Sequence, residues 1–307
     1  MNPDSASRTA IGAALMRGLH TRADAHRILD DAWADRLVPS SARELLYDLV
    51  RRIDGASPGA AADAAARQAA VDALLRGNAA YANVILRSRY AEDALHRALA
   101  RGVRQYVLVG AGFDSYALRR PPEAADLTVI EIDHPATQSL KRQRVTACGA
   151  PWPASARFIA ADLAAEDLPS VLRRSGLRLS EPVFFSWLGV TMYLSRGANM
   201  ATLRAIASTA VPGSELVFSY IEQALLDALS SDADVHSATA LHKIVAAAGE
   251  PFVCGFDPAT LGHELQALGY RVLEDCSEVD LLRRYDPSDR NGFAARETSR
   301  VAHVRVD

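Results

Sequence analysis

The chain has 307 residues, of which 49% are hydrophobic and 23% charged, and 34 basic and 37 acidic side chains give it a formal net charge of -3. This near-average composition excludes a wholly disordered chain and a fibrous repeat, and the balanced charge argues against nucleic acid as an obligate partner. At about 150 residues per domain, the length predicts two domains or one elaborated domain.

The first third of the chain, residues 1–104, predicts a helical cap. It is rich in Ala, Leu and Arg and has almost no β-branched runs. Strong helix formers fill residues 60–75 and 79–100, the latter with apolar residues at mixed three- and four-residue spacing. Because no low-complexity linker follows, we expect these helices to pack on the remainder of the chain.

Beyond residue 105, short β-prone runs alternate with helix-forming stretches, which implies βαβ units and a mostly parallel sheet covered on both faces. The predicted fold class for residues 105–307 is therefore α/β, a Rossmann-like, doubly wound sheet of seven strands. Strands are expected at 106–109, 127–132, 157–160, 182–187, 215–220, 270–273 and 300–306, and helices from 117 and at 135–147, 165–174, 199–210 and 258–268.

Residues 221–250 interrupt this alternation with an acidic, Ala-rich stretch that has no strand pattern. We expect a helical insertion here and interpret it as a lid over the carboxyl-terminal edge of the sheet. His236 and His242 lie within it, and Tyr220 ends the preceding strand. A histidine on an amphipathic helix is more often a surface or core residue than a proton acceptor, so no catalytic residue is assigned.

The turn after the first strand, Gly110-Ala111-Gly112, is the first candidate binding element. Glycines let the backbone approach a ligand closely, and the helix that follows offers free N–H groups. The motif alone is weak, because Ser115 stands where the third glycine of a dinucleotide-binding motif would fall. A plain strand-to-helix turn is the alternative.

Two acidic strand ends strengthen the interpretation of a nucleotide site. Asp133 ends the second strand 23 residues after Gly110, near the offset of about 20 at which an acid binds a ribose hydroxyl. Asp162 and Leu163 follow the third strand, where an acid can accept the adenine amino group while a leucine packs on the ring. Either acid could instead cap the next helix. Together the three strand ends predict adenosine binding at one edge of the sheet.

Cysteines and histidines give no sign of a metal site. Cys148, Cys254 and Cys276 are widely separated and form no C-x-x-C pair, so neither a disulfide framework nor a zinc ribbon is predicted. The chain contains no run of 18 apolar residues, and the apolar stretch 10–16 has no cleavage pattern after it. We expect a cytoplasmic protein with no membrane or metal partner.

Four stretches carry a recognisable pattern: 105–114 (QYVLVGAGFD), 130–135 (IEIDHP), 161–163 (ADL) and 186–194 (SWLGVTMYL), with further similarity at 86–90 (LRSRY) and 9–37. They resemble the leucine carboxyl methyltransferase-like family, a branch of the class I S-adenosylmethionine-dependent methyltransferases. The resemblance implies S-adenosylmethionine as cofactor, S-adenosylhomocysteine as product, and O-methylation of a carboxylate or hydroxyl of a small molecule in secondary metabolism. Other family members methylate the C-terminal carboxyl group of proteins, which is the alternative.

The resemblance implies a role for each matched residue. Arg87 matches an arginine that pairs with the cofactor's carboxylate, for which a guanidinium offers two parallel donors. Gly110 matches the glycine beneath the methionyl part, Asp133 the ribose-binding acid, and Asp162 with Leu163 the adenine contacts. The full set of predicted cofactor-binding residues is Arg87, Gly110, Ala111, Gly112, Asp114, Asp133, Asp162 and Leu163.

Two positions depart from the family's pattern. Leu188 stands where many members have a glutamate that binds the cofactor's amino group, and Tyr116 stands where an arginine is common. We therefore expect the ammonium to be held by the backbone carbonyl of Gly110 or by Asp114. The missing carboxylate also leaves open a binding or scaffold protein that has lost its chemistry.

A nicotinamide-dependent oxidoreductase is a second enzyme class with a glycine turn and an acid after the second strand. The missing third glycine and the helical stretch before the first strand argue against it. So does the absence of a Tyr-x-x-x-Lys pair, since Tyr220 and Tyr270 are followed four residues later by Ala224 and Glu274.

Overall fold

A computed structural model of the chain describes residues 6–53, 63–163, 165–230 and 251–307. Its strands are β1 (Gln105–Val109), β2 (Thr128–Asp133), β3 (Ala156–Ala160), β4 (Phe184–Trp187), β5 (Glu215–Ile221), β6 (Tyr270–Ser277) and β7 (Ser299–Val306). They form one seven-stranded sheet in the order β3-β2-β1-β4-β5-β7-β6. Strand β7 pairs antiparallel with both β5 and β6, and the other pairings are parallel. The predicted fold class is confirmed.

Helices flank the sheet on both faces. Those before β1 are α1 (Arg8–Ala23), α2 (Ala34–Leu37), α3 (Ser40–Ile53), α4 (Ala64–Arg76) and α5 (Tyr81–Ala100). Those that follow β1 are α6 (Tyr116–Arg119), α7 (Pro135–Ala147), α8 (Leu168–Arg174), α9 (Arg196–Thr209), α10 (Gln223–Ser230), α11 (Pro258–Ala267) and α12 (Glu278–Tyr285). The helical character expected of the first third is present, and the domain boundary after residue 104 stays a prediction.

The sheet separates two apolar cores, because successive side chains of a strand point to opposite faces. In β1, Leu108 packs in the core that α1 and α5 cover, whereas Val109 packs in the opposite core with α8, α9 and α11. All residues of β1, β4 and β5 are buried. The functional side chains are therefore confined to the strand ends and the turns that follow.

Sequence reasoning missed one helix and shortened one strand. Strand β6 extends to Ser277, because a bulge between Val272 and Glu274 breaks its alternation and hides the later residues from a period-two pattern. Helix α12 is short and polar, yet its start carries a reciprocal capping box between Ser277 and Asp280, a signal that could have predicted it.

The predicted lid is only partly described. Helix α10 falls within the expected insertion at residues 221–250. Residues 231–250, which include His236 and His242, lie outside the described part of the chain.

Candidate active site

The glycine turn is fixed to the end of β2. The backbone N–H groups of Gly110 and Ala111 donate to the carbonyl of Ile132 at 2.9 and 3.0 Å, and the N–H of Gly112 donates to the Asp133 carboxylate. Gly110 and Gly112 have φ values of 71° and 53°, a region that suits glycine and strains other residues. These hydrogen bonds bring two of the predicted motifs together.

Asp133 also connects to the third strand. Its carbonyl accepts the N–H of Ala161 at 2.9 Å. Asp162 and Leu163, the next two residues of the chain, therefore lie at the same edge of the sheet. The Asp133 carboxylate accepts a second backbone hydrogen bond, from His134 at 2.7 Å. Burial raises the pKa of Asp133, and these two backbone donors offset part of that rise. Carboxylate oxygens have further lone pairs, so hydroxyl groups of a ligand can still bind.

A second glycine turn follows β4. A Cβ atom at Gly110 would lie 2.6 Å from the side chain of Val190. The turn after β1 and the turn after β4 are therefore in contact at Gly110. Gly189 has a φ of 70°, and a side chain there would overlap the guanidinium of Arg87. Contacts therefore run from Arg87 through Gly189 and Val190 to the turn at Gly110 and on to the end of β2.

Arg87 is the most unusual group along these contacts. Its guanidinium donates to the side-chain oxygen of Asn83 at 2.8 Å, and within the described ranges no carboxylate forms an ion pair with it. Burial lowers the pKa of Arg87 to about 10. A guanidinium so placed is well suited to an anionic ligand, because a bound carboxylate supplies the missing charge.

The N-terminal helix closes one side of the glycine turn. Arg17 of α1 donates to the carbonyl of Phe113 at 2.7 Å and to Asp31 at 2.8 Å, while a side chain at Gly112 would come within 3.0 Å of Ala10. Burial alone would raise the pKa of Asp31, but Arg17 and its neighbours hold that pKa below its ordinary value. Sequence reasoning did not find this contact, because no local pattern signals a pairing between residues about 100 positions apart.

Other acids near the edge have local partners. Asp114 accepts the N–H of Tyr116, the first residue of α6, at 2.8 Å. Glu131 is buried in an ion pair with Lys141 of α7, and burial raises its pKa to about 7. Leu188, at the position of the family's glutamate, packs on the core below α1 and α5.

Two negative findings apply only to the part of the chain that the structure describes. No group of three or more His, Cys, Asp or Glu side chains could hold a metal ion there. No helix among these residues is long and apolar enough to cross a membrane.

Comparison with known proteins decides the family. The family model described as leucine carboxyl methyltransferase matches residues 10–207, a range that contains every predicted cofactor-binding residue. The chain belongs to this family. The expected family and the methyltransferase class are thereby confirmed.

Two bacterial relatives match most of the chain. A Bacillus subtilis protein named as an S-adenosyl-L-methionine-dependent methyltransferase, YktD, is 29% identical over 99% of each chain. A Mycolicibacterium smegmatis protein with the same kind of name is 31% identical over 72% of this chain and 69% of its own length. These names agree with the cofactor that the sequence motifs predict.

Solved structures support the fold. A DUF574 family protein from Streptomyces avermitilis has a TM-score of 0.54 at 16% identity and covers 85% of this chain and 96% of its own. The crystal structure of a methyltransferase-like protein from Thermobifida fusca has the same TM-score and covers 85% of this chain and 93% of its own. At this level of identity the likeness concerns the fold alone.

Proposed function

We propose that this protein is an O-methyltransferase that binds S-adenosylmethionine at the carboxyl-terminal edge of its sheet and methylates a carboxylate or hydroxyl of a small molecule. The observation that carries the proposal is Arg87, a partly buried guanidinium that forms no ion pair with a carboxylate of the described residues and packs beside a glycine turn. An inert scaffold would have no reason to keep this charge at the edge of the sheet, because partial burial of a cation without a counter-charge costs stability.

The residues of the edge fit such a cofactor. Arg87 would hold the carboxylate of the cofactor's methionyl end. Gly110, which has no side chain, would let that end of the cofactor lie close to the protein backbone. Asp133 would bind the ribose hydroxyls, and Asp162 with Leu163 would contact the adenine ring. Ala111, Gly112 and Asp114 complete the turn that shapes this surface.

Bound there, the cofactor supplies a sulfonium methyl group that is already activated for transfer. The protein's own task is then to hold the acceptor oxygen in line with that methyl group and to exclude water. A carboxylate acceptor needs no deprotonation at neutral pH, whereas a hydroxyl acceptor gains from a base.

Titration calorimetry with S-adenosylmethionine and S-adenosylhomocysteine tests the proposal first. Binding of both, with clear weakening in Arg87→Ala and Asp133→Ala, is the expected result. Methyl-labelled S-adenosylmethionine is then supplied with matched panels of small carboxylic acids, phenols and peptides ending in a free leucine carboxylate. Absence of cofactor binding would refute the proposal, and labelling of the peptides alone would favour a protein carboxyl methyltransferase.

A further inference from the structure

Glu278, the first residue of α12, is a buried acid with an unusual environment. Its side chain is 1% exposed, and neither carboxylate oxygen accepts a hydrogen bond of good geometry from the described residues. Other buried acids have a cation in direct contact: Asp31 has Arg17, Glu131 has Lys141, and Glu215 has Arg305. Glu278 therefore has unused hydrogen-bonding capacity in a place that water does not reach.

The surroundings of Glu278 only partly compensate its charge. The charge and the backbone N–H of Arg296, the hydroxyl of Ser299 and the more distant guanidinium of Arg87 favour the carboxylate form, but burial outweighs them and raises the pKa to about 8. Burial of an acid without hydrogen-bond partners of good geometry is unfavourable. A bound ligand is one partner that such a group can gain.

Arg87 is the complementary case. It is a partly buried cation that forms no ion pair with a carboxylate of the described residues, and Glu278 is one of the groups whose charge acts on it. Helix α12 packs along α5, as the hydrogen bond from Tyr285 to Asp93 at 2.9 Å shows. Yet no hydrogen bond or ion pair joins Arg87 to Glu278 in the described structure. A cation and an acid, neither with an ion-pair partner in the described residues, thus lie near one another without pairing.

A zwitterion satisfies both groups at once. The methionyl end of S-adenosylmethionine carries a carboxylate and an ammonium on the same carbon atom. If Arg87 binds the carboxylate, the ammonium must lie a few bonds away and needs a nearby acceptor. Many family members bind this ammonium with a glutamate, which is replaced here by Leu188. The side chain of Leu188 has no hydrogen-bond acceptor.

We propose that Glu278 binds the α-ammonium group of the cofactor while Arg87 binds its carboxylate, so that the two side chains together recognise the amino-acid end. This assignment rests on the proposed function. It replaces Asp114 as the expected ammonium partner, because Asp114 already accepts the backbone N–H of Tyr116 and its charge acts on Tyr106 and Glu131, on the β1–β2 side of the edge.

Three ligands separate this assignment from a merely structural role. S-adenosylhomocysteine carries the whole zwitterion, its deaminated analogue lacks only the α-amino group, and 5′-methylthioadenosine lacks the amino-acid end altogether. Each is titrated calorimetrically into the wild type, Glu278→Gln, Glu278→Asp and Asp114→Asn. Glu181→Gln, on an exposed pair with Arg178, is the matched control, and thermal unfolding verifies that each variant is folded.

We expect Glu278→Gln to weaken S-adenosylhomocysteine binding about 10- to 100-fold and to leave the other two ligands nearly unchanged. Glu278→Asp, which keeps the charge, should retain part of the preference for the amino group. Equal weakening of all three ligands, no weakening at all, or a selective loss in Asp114→Asn instead would overturn the assignment. If the wild type binds S-adenosylhomocysteine no better than the deaminated analogue, the assignment fails while the proposed function stands; if it binds neither, both fail.

Discussion

The guanidinium of Arg87 packs against the backbone of Gly189, at a point where no side chain would fit. Arg87 belongs to α5, ahead of the sheet, and Gly189 belongs to the turn after β4. This contact places a cation from the helical first third at the edge where the adenosine-binding motifs lie. The absence of a carboxylate partner in the described residues predicts opposite effects of Arg87 on stability and on binding.

Arg87→Met should make the free protein more stable and the complex weaker. Methionine keeps much of the apolar stem while it removes a partly buried charge that has no ion-pair partner in the described residues, so the free energy of unfolding should rise by about 1 kcal/mol. The affinity for S-adenosylhomocysteine should fall about 100-fold, because a bidentate charged contact is lost. Urea unfolding and titration calorimetry measure the two effects.

Arg89→Met serves as the control for this prediction, since Arg89 lies on the same helix and is paired with Asp93 at 3.0 Å. It should not stabilise the protein, and it should leave ligand affinity nearly unchanged. Similar behaviour of the two variants would contradict the special status of Arg87.

Gly189→Ala should weaken cofactor binding more than its backbone strain explains. The new methyl group would overlap the Arg87 guanidinium and displace it. Gly213→Ala is a matched control, because Gly213 also has a positive φ, 88°, but open space around it. Both substitutions should cost about 1–2 kcal/mol of stability through φ alone, and only Gly189→Ala should lower the affinity for S-adenosylhomocysteine. Equal affinities would show that Arg87 does not depend on this turn.

The strand-end motifs were predictable because each depends on local sequence. A β-prone run followed by glycines, or by an acid and a helix former, specifies a strand and its turn within a few residues. The strand ends then lie together, because the carboxyl ends of parallel strands meet at one edge of the sheet. The contact between Arg87 and Gly189 joins residues about 100 positions apart, so no local pattern contains it.

Glu278 was missed for a different physical reason. Sequence patterns treat a glutamate in a polar eight-residue helix as a solvated residue, since such helices usually lie on the surface. Its burial results from the packing of α12 on α5, which only the three-dimensional structure provides. The capping box at Ser277 predicts the helix but not the environment of the residue that follows.

Asp133→Asn should weaken every adenosine-containing ligand to a similar degree. All three probes share the ribose, and the charged acceptor at the end of β2 becomes a neutral amide, so a loss of about 5- to 20-fold is expected for each. Asp257→Asn, at the N-cap of α11, should change none of these affinities. A loss confined to S-adenosylhomocysteine would place Asp133 at the amino-acid end instead of the ribose.

The buried pair of Glu131 and Lys141 should govern stability, and not ligand recognition. Both side chains are 1% exposed, so Glu131→Gln leaves an unpaired ammonium in the core and should lower the free energy of unfolding by about 3–5 kcal/mol. The double variant Glu131→Leu with Lys141→Leu should recover most of that loss. Urea unfolding of the two variants and the wild type measures this, and equal stability of the single variant and the wild type would contradict it.

The affinity for S-adenosylhomocysteine should rise with pH between about 6 and 7.5, by up to tenfold per pH unit. Burial raises the pKa of Glu278 to about 8, against the opposing influence of Arg296, Ser299 and Arg87, so the free protein carries a proton there at neutral pH. Binding an ammonium requires the carboxylate and releases that proton, and a higher pH removes the cost. Calorimetry in two buffers of different ionisation enthalpy should show proton release by the wild type and none by Glu278→Gln, whose affinity should be flat over this range. A wild-type affinity that falls as the pH rises from 6 to 7.5 would mean that Glu278 binds the cofactor in its protonated form or does not bind it.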